Sequence, residues 1–250
     1  SSFDPLSRTC RFMLTEEAHH MFVGETGVGR VIKRAVEKMV ELKTDDPEAL
    51  RRAGVIDLPT LQRYINFWFS SSIDLFGADK SSNAATYFAT GVKGRPDEER
   101  YEDHLCLDSE YDLTIPNDSG GVETIHIPTR NAMNEITRQA YIADAGIGLK
   151  RWNRIISKAG FDVELALPSD RFNRTIGSWG GQPAAPDGTR LTAEQWAEKK
   201  SLWLPSKEDR AYVKSLMHQV AEPGKMAGWI APPDRGINNQ SVKYEYVVMH

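Results

Sequence analysis

Helical spacing of apolar residues runs through most of this 250-residue sequence and limits the chain to a mainly helical fold. Apolar side chains recur every three or four residues, the spacing that places them on one face of an α-helix. Such patterns cover residues 4–24, 31–42, 58–76, 81–94, 129–159 and 207–220. Thr192 is predicted to cap a further short helix, and Gly24, Gly27 and Gly29 are expected to interrupt the first long helical stretch.

A minor β part is predicted between residues 111 and 128. Residues 111–116 and 122–128 alternate apolar and polar side chains, which is typical of strands with one buried face. The glycine-rich segment 117–121 between them predicts a turn, and the three segments together predict a β-hairpin. After residue 161, short extended stretches such as 163–167 alternate with loops rich in Gly and Pro.

Charge and cysteine content exclude several classes of protein. The formal charge of -4 comes from 31 basic and 35 acidic residues that are well interleaved, so no broad field attracts nucleic acid or an anionic membrane. Cys10 and Cys106 are too few for a disulfide framework and are expected to be reduced and buried. No apolar run approaches the roughly 18 to 20 residues of a membrane span. These features predict a cytoplasmic protein.

Three Glu-x-x-His pairs are candidates for metal binding, because residues three apart on a helix project from one face. The pattern is also a signature of di-iron helix bundles. Glu123 and His126 lie in a predicted strand, where positions three apart point to opposite faces. The pairs Glu16–His19 and Glu17–His20 overlap on one predicted helix. The face shared with Cys10, Met13 and Gly24 favours Glu17 and His20 only slightly, and an exposed charged helix turn without metal stays an alternative.

Five segments carry a resemblance to one family. They are Arg-Phe-Met-Leu-Thr-Glu-Glu-Ala-His-His-Met-Phe at 11–22, Ser-Ile-Asp-Leu-Phe-Gly at 72–77, Asn-Ala-Met-Asn-Glu at 131–135, Arg-Trp-Asn at 151–153 and Gly-Trp-Ile-Ala-Pro-Pro at 228–233. Together they resemble the carboxy-terminal portion of the benzoyl-CoA 2,3-epoxidase oxygenase family, whose members are non-haem di-iron proteins. The resemblance spans nearly the whole chain.

The resemblance implies a fold and a metal site. It implies that residues 1–95 are the end of a ferritin-like four-helix bundle, containing its last metal-bearing helix. Residues 96–250 would then form a hairpin, a long helix and an irregular carboxy-terminal extension packed on the bundle. By matching residue types, Glu17 and His20 would be the final carboxylate and imidazole ligands of two iron ions. The other ligands precede this helix in the family. Because the chain also begins without methionine, it is expected to be the carboxy-terminal part of a longer polypeptide.

The resemblance also implies an activity and its partners. The expected reaction is epoxidation of the aromatic ring of benzoyl-CoA at the 2,3 position, using dioxygen, in aerobic benzoate degradation. Electrons would come from a separate flavin and iron–sulfur reductase component, so NADPH and FAD act only through that partner. No segment of this chain resembles a flavin or nicotinamide fold or an iron–sulfur cysteine cluster.

Coenzyme A carries phosphates, so an acyl-CoA substrate requires a local basic site on this acidic chain. Two groups of basic residues are candidates: Lys150, Arg151 and Arg154 near the end of the longest helix, and Arg171 with Arg174 after an extended stretch. Basic residues near a helix carboxy terminus also offset the helix dipole without any ligand, which is the alternative for the first group.

Other candidate site residues favour structural roles. Asp74 is expected to be a helix-end or buried hydrogen-bonded carboxylate, and His104 to lie in a solvated charged turn. Residues 24–29 have the glycines of a phosphate loop but lack its preceding strand and its Lys-Ser/Thr ending. Two alternatives to the oxygenase stay open: a ferritin-like iron-binding protein and a non-catalytic helical partner-binding module.

Overall fold

The structure, a computed structural model, describes residues 4–81, 109–236, 238–241 and 243–247. The helices are α1 (Asp4–Leu42), α2 (Pro47–Arg52), α3 (Leu58–Asp74), α4 (Met133–Lys158), α5 (Ala193–Trp203) and α6 (Lys207–Leu216), and a 3-10 turn, Thr129–Ala132, precedes α4. The strands are β1 (Glu110–Pro116), β2 (Val122–Pro128), β3 (Lys225–Ala227) and β4 (Glu245–Val247). The predicted fold class, mainly α with a minor β part, is therefore confirmed.

The chain folds into two compact units. One unit comprises Ser1–Ala18, Trp68–Ala145 and Pro168–Glu198, and the other comprises His19–Phe67, Gly146–Leu167 and Lys199–His250. The predicted division at residue 95, the helical pattern of residues 82–94, and Cys106 and His104 all lie outside the described residues, so that division stays a prediction. Among the described residues, no helix combines the length and apolar character that crossing a membrane requires.

The first unit contains the predicted hairpin. Strands β1 and β2 pair antiparallel, with Tyr111 opposite Ile127 and Leu113 opposite Ile125. Asn117 closes the turn, because its backbone N–H donates to the carbonyl of Gly121 (3.1 Å) and its side-chain oxygen accepts from the N–H of Gly121 (2.7 Å). The hairpin prediction is confirmed, since the alternating pattern and the turn residues are local signals.

The second unit is built around an apolar core. Ile32, Val36 and Met39 of α1 belong to this core. They pack with apolar residues of the segment after α2, with apolar residues of α3 and with Ile156 of α4. Full burial of each such side chain stabilises the fold by about 1.5–3 kcal/mol. The predicted extended stretch 163–167 forms no strand. Its backbone N–H groups at Leu165 and Ala166 donate instead to the side-chain oxygens of Asn153 (2.9 Å) and Gln62 (2.8 Å).

A buried ionic cluster also holds the second unit together. Asp209 of α6 accepts from Arg63 Nε (2.7 Å) and from Arg51 Nη2 (2.6 Å), and Arg51 Nε donates to Asp57 (2.7 Å). Burial raises the pKa of the Asp209 carboxyl, but hydrogen bonds from Arg63, Ser206 and Arg51 outweigh burial and hold that pKa well below its usual range. Tyr212 packs beside this cluster, and burial raises the pKa of its phenol to about 12.

Two helix predictions require correction. Helix α1 is continuous from Asp4 to Leu42, so the expected interruption at Gly24, Gly27 and Gly29 is wrong. Helix α6 ends at Leu216 rather than at Val220, because Met217 leaves the helical region with φ -82° and ψ 70°. The expected burial of cysteine is also wrong for Cys10, which is exposed.

Gly29 of α1 lies beside two side chains of α4. A Cβ at this position would lie 3.6 Å from Cδ1 of Trp152 and 3.7 Å from Cδ1 of Ile155, which is ordinary contact. Glycine costs about 0.5–1 kcal/mol relative to alanine in a helix interior, because it loses more conformational freedom on folding.

Gly29→Ala is therefore expected to raise the free energy of unfolding by about 0.5–1 kcal/mol, because alanine removes chain entropy from the unfolded state and fits the space. Urea unfolding of the full-length protein measures the change. Gly29→Val is the matched control, since its extra carbons meet Trp152 and Ile155, which are already in contact at the Cβ. A loss of stability in Gly29→Ala would contradict the packing described.

Candidate functional site

Helix α1 places both overlapping Glu-x-x-His pairs on one continuous helix. Glu17 and His20 lie three residues apart and are exposed, and so are Glu16 and His19. The His19 and His20 rings lie 6.5 Å apart between centroids and tilt by 50°. The helical register that lets one carboxylate and one imidazole reach a single ion is therefore present for each pair.

The donor chemistry of these pairs fits part of an iron site. Carboxylate and imidazole groups are the ligands that helix bundles offer to two iron ions, with contributions from four helices. Among the described residues, no group of three or more His, Cys, Asp or Glu side chains lies close enough together to hold a metal ion. Each Glu-x-x-His pair has the two donor types that one helix would contribute to such a site.

Large exposed apolar side chains precede and follow the Glu-x-x-His pairs along α1. Phe12 is 78% exposed, Leu14 68%, Met21 67% and Phe22 65%. Exposed apolar groups concentrated on one helix mark a surface that binds another protein segment or a ligand.

The third Glu-x-x-His pair lies in strand β2, as predicted, where positions three apart point to opposite faces. His126 Nδ1 lies 2.6 Å from Oδ1 of Asp112 on the neighbouring strand. These two residues are directly opposite each other in the hairpin register. The cross-strand contact with Asp112 therefore gives the His126 side chain a structural role.

The first basic group lies along α4. Lys150, Arg151 and Arg154 are all exposed. Arg151 Nη1 donates to both carboxylate oxygens of Glu25, at 2.8 and 2.7 Å, and the N–H of the neighbouring Trp152 ring donates to the carbonyl of Glu25 (3.1 Å). Because the Arg151 side chain is still 59% exposed in this pair, the group presents positive charge to solvent.

The second basic pair is divided between two environments. Arg174 is buried and donates through Nε to Asp74, whose other oxygen accepts from the N–H (2.9 Å) and hydroxyl (2.6 Å) of Thr175. Burial raises the pKa of Asp74, but bonds from Thr175 and Arg174 outweigh burial and lower it. The structural role predicted for Asp74 is thus confirmed. The guanidinium of Arg171 instead lies over the Trp179 ring, 4.6 Å from its centroid.

Both arginines line a polar cavity of about 200 Å³ in the first unit. Its walls also include Asp79, Tyr111, Glu135, Arg138, Gln139, Asp170 and Trp179. Arg138 is almost fully buried, and it donates to Asp79 (2.9 Å), to Glu135 and to the carbonyls of Ile73 (3.2 Å) and Gly77. Burial, followed by the negative charge of Glu135, raises the pKa of Tyr111.

Sequence reasoning missed this buried cluster. Its one local signal is the spacing of Glu135, Arg138 and Gln139, which puts all three on one turn of a helix. Asp79 is distant in sequence and reaches the cluster only in the folded chain. Its carboxylate accepts hydrogen bonds from the backbone N–H of Ser178 (2.6 Å) and from Arg138. Gly177 is needed beside it, because its φ is +81° and a Cβ there would lie 2.7 Å from Asp79 Oδ2.

Comparison with known proteins shows that this chain is similar in sequence to a curated protein. No family model matches the chain. Over 249 residues, 99% of its length, the chain is 53% identical to benzoyl-CoA oxygenase component B of Aromatoleum evansii. It covers 52% of that protein, so it spans about half the length of the curated relative. The resemblance identified from the sequence segments is thereby confirmed.

Proposed function

We infer that this chain belongs to the benzoyl-CoA oxygenase component B family and that it forms about half of such a component. The observation that carries this inference is the sequence identity, which extends over nearly every residue of the chain rather than over one motif. The continuous helix α1, with Glu17 and His20 one turn apart, adds structural support.

The proposed reaction is epoxidation of benzoyl-CoA. One atom of dioxygen bridges C2 and C3 of the ring, while two electrons and two protons reduce the other atom to water. The thioester draws electron density from the ring. The electrons come from a separate reductase component that carries the flavin and iron–sulfur groups and oxidises NADPH, and the complete system is proposed to act in the cytoplasm.

The proposed cofactor is a pair of iron ions, held in part by Glu17 and His20. When bound, iron would supply the activation of dioxygen. Glu17 would contribute one carboxylate and His20 one neutral imidazole nitrogen, and the rigid helix fixes their separation. The remaining ligands would come from other helices of the complete component. The exposed Phe12, Met21 and Phe22 support this arrangement, because a closed site needs α1 covered by other parts of the protein.

The proposed contacts to coenzyme A begin with the first basic group. Lys150, Arg151 and Arg154 face solvent and have hydrogen-bond donors that a phosphate group can reach. Arg171 is the second candidate, since it lies over Trp179 and lines a cavity. Arg174 is retained as a weaker candidate, because its guanidinium is already bonded to Asp74 and to the carbonyl of Asp170 (2.9 Å).

Oxygen consumption by the full-length protein tests the proposal. With reductase and NADPH present, benzoyl-CoA is expected to start oxygen uptake with one NADPH oxidised per product. With ¹⁸O₂ as the oxidant, each product molecule is expected to gain one labelled oxygen. Benzoate and acetyl-CoA are the matched controls, because each lacks one half of the substrate. Uptake that does not depend on benzoyl-CoA, accompanied by oxidation of added Fe²⁺, would establish the ferritin-like alternative instead.

A further inference from the structure

Helix α4 carries a further exposed cation that lies outside the first basic group. Lys158 follows Arg154 by four residues, as Arg154 follows Lys150. At about 3.6 residues per turn, these three cations and Arg151 lie within an arc of roughly 100° on the helix surface. All four are exposed. We call Lys150, Arg151, Arg154 and Lys158 the basic stripe.

Most of the charge of the basic stripe is not neutralised by carboxylates. Residues 146–161 contain no Asp or Glu. Within the described part of the chain, only Arg151 of the stripe forms an ion pair, and its side chain keeps 59% of its surface exposed. The helix dipole attracts cations in the last turn, which accounts for Lys158 but not for Lys150, two turns earlier. The stripe therefore presents a cationic surface to an anionic ligand.

Contacts with α1 give the basic stripe a direction. Glu25 of α1 pairs with Arg151 (2.7 Å). Four residues later on both helices, a Cβ at Gly29 would lie 3.7 Å from Cδ1 of Ile155. The contacts thus advance together toward the carboxy ends of α1 and α4. Because His20 precedes Glu25 by five residues, the stripe leads away from His20 as it approaches the end of α4.

The order of groups in coenzyme A matches this direction. From the thioester, the pantetheine arm leads to the diphosphate and then to a ribose with a 3′-phosphate. With the aromatic ring at the iron ions proposed beside His20, the 3′-phosphate comes after the diphosphate along the stripe. A phosphate monoester carries about 1.5 to 2 negative charges at neutral pH. Arg154 and Lys158 lie one turn apart, so both side chains can reach one phosphate group.

We propose that Arg154 and Lys158 bind the 3′-phosphate of the substrate, while Lys150 and Arg151 contact the diphosphate. The two parts of the basic stripe then have different tasks. The first part holds any carrier that has the diphosphate, and the second part selects coenzyme A over its dephospho form. This inference rests on the proposed function, because it takes a coenzyme A thioester as substrate and His20 as an iron ligand.

Isothermal titration calorimetry of the full-length protein tests this selection, with coenzyme A and dephospho-coenzyme A as the probes. Reductase is left out, so no turnover occurs. The parent is expected to bind coenzyme A about tenfold more tightly, because two exposed charge pairs form only with the 3′-phosphate. Arg154→Met combined with Lys158→Met is expected to weaken coenzyme A binding by about tenfold and to change dephospho-coenzyme A binding by less than about twofold.

Two further variants separate selection from general charge and from structure. Lys207→Met combined with Lys214→Met removes two exposed cations of α6 from the same compact unit, and it is expected to keep the preference for coenzyme A. Lys150→Met is expected to weaken both ligands by a similar factor, because both carry the diphosphate. A purely structural effect of the Arg154 and Lys158 changes would also alter both affinities alike.

The inference is overturned if the parent binds neither probe or binds both equally, or if the Arg154 and Lys158 variant keeps its preference for coenzyme A. Failure of the proposed function has a different signature, namely a full-length protein that prefers coenzyme A but shows no oxygen uptake dependent on benzoyl-CoA. Uptake dependent on benzoyl-CoA without a preference between the two probes would overturn this inference alone.

Discussion

Glu17→Ala and His20→Ala, each made in the full-length protein, are expected to lose most of the bound iron and at least about 100-fold of the benzoyl-CoA-dependent oxygen uptake. Replacing a residue that only supports a metal ligand already costs about 10- to 100-fold in metal affinity or activity. Removal of the ligand itself is expected to cost more. Elemental analysis of the purified protein measures the iron, and an oxygen electrode measures the activity.

Glu16→Ala and His19→Ala are the matched controls. Both residues lie on the same helix, one position earlier, and are also exposed, and their replacement by alanine removes the same chemical groups. Alanine is the strongest helix former, so none of the four changes should unfold α1. The Glu16 and His19 variants are expected to keep iron and activity close to those of the parent.

The reverse result would identify Glu16 and His19 as the iron ligands. Full iron content and activity in all four variants would support the third possibility, an exposed charged turn that binds no metal. Each result therefore identifies one of the interpretations that the sequence leaves open.

The sequence predicted the elements whose signals are local. The β1–β2 hairpin follows from alternation and a glycine-rich turn, and α4 follows from a long apolar stripe. The continuity of α1 was not predicted, because the three glycines indicate a break locally, whereas the helix runs through all of them. Helix propensity is a weak signal, and an isolated glycine is tolerated inside a helix.

The residues of the candidate site also differ in whether a local sequence signal reveals them. The spacing of Glu17 and His20 is a local signal that the sequence displays, but the neighbouring pair Glu16 and His19 displays the same signal on the same helix. The buried Arg138 was missed for a different reason. Arginine is almost never fully buried unless it is paired, and its partner Asp79 lies 59 residues away in the sequence.

Arg138→Met is expected to lower the free energy of unfolding by about 3–5 kcal/mol, the usual cost of removing one partner from a buried ion pair. Methionine matches much of the arginine side chain in shape but cannot donate a hydrogen bond. Asp79 and Glu135 would then remain buried without the cation between them. The carbonyls of Ile73 and Gly77 would also lose a donor.

Urea unfolding of the full-length protein measures this loss, and hydrogen exchange in residues 133–145 shows whether α4 opens locally. Arg154→Met is the matched control, because Arg154 lies on the same helix and is exposed. It is expected to change stability by no more than about 0.5 kcal/mol. Equal stability of the two variants would contradict a structural role for the buried arginine.

The pH dependence gives this prediction a second signature. Burial raises the pKa of Asp79, but hydrogen bonds from Ser178 and the charge of Arg138 outweigh burial and hold that pKa below its usual range. A carboxyl whose pKa is lowered by folding stabilises the protein above its unfolded pKa, and this contribution disappears as the pH falls through the folded pKa. Without Arg138 the folded pKa rises, so acid protonates Asp79 and relieves the unpaired charge. The difference in the free energy of unfolding between parent and variant is therefore expected to be largest near neutral pH and to narrow as the pH falls toward about 4. A difference that stays constant with pH would assign the loss of stability to packing rather than to charge.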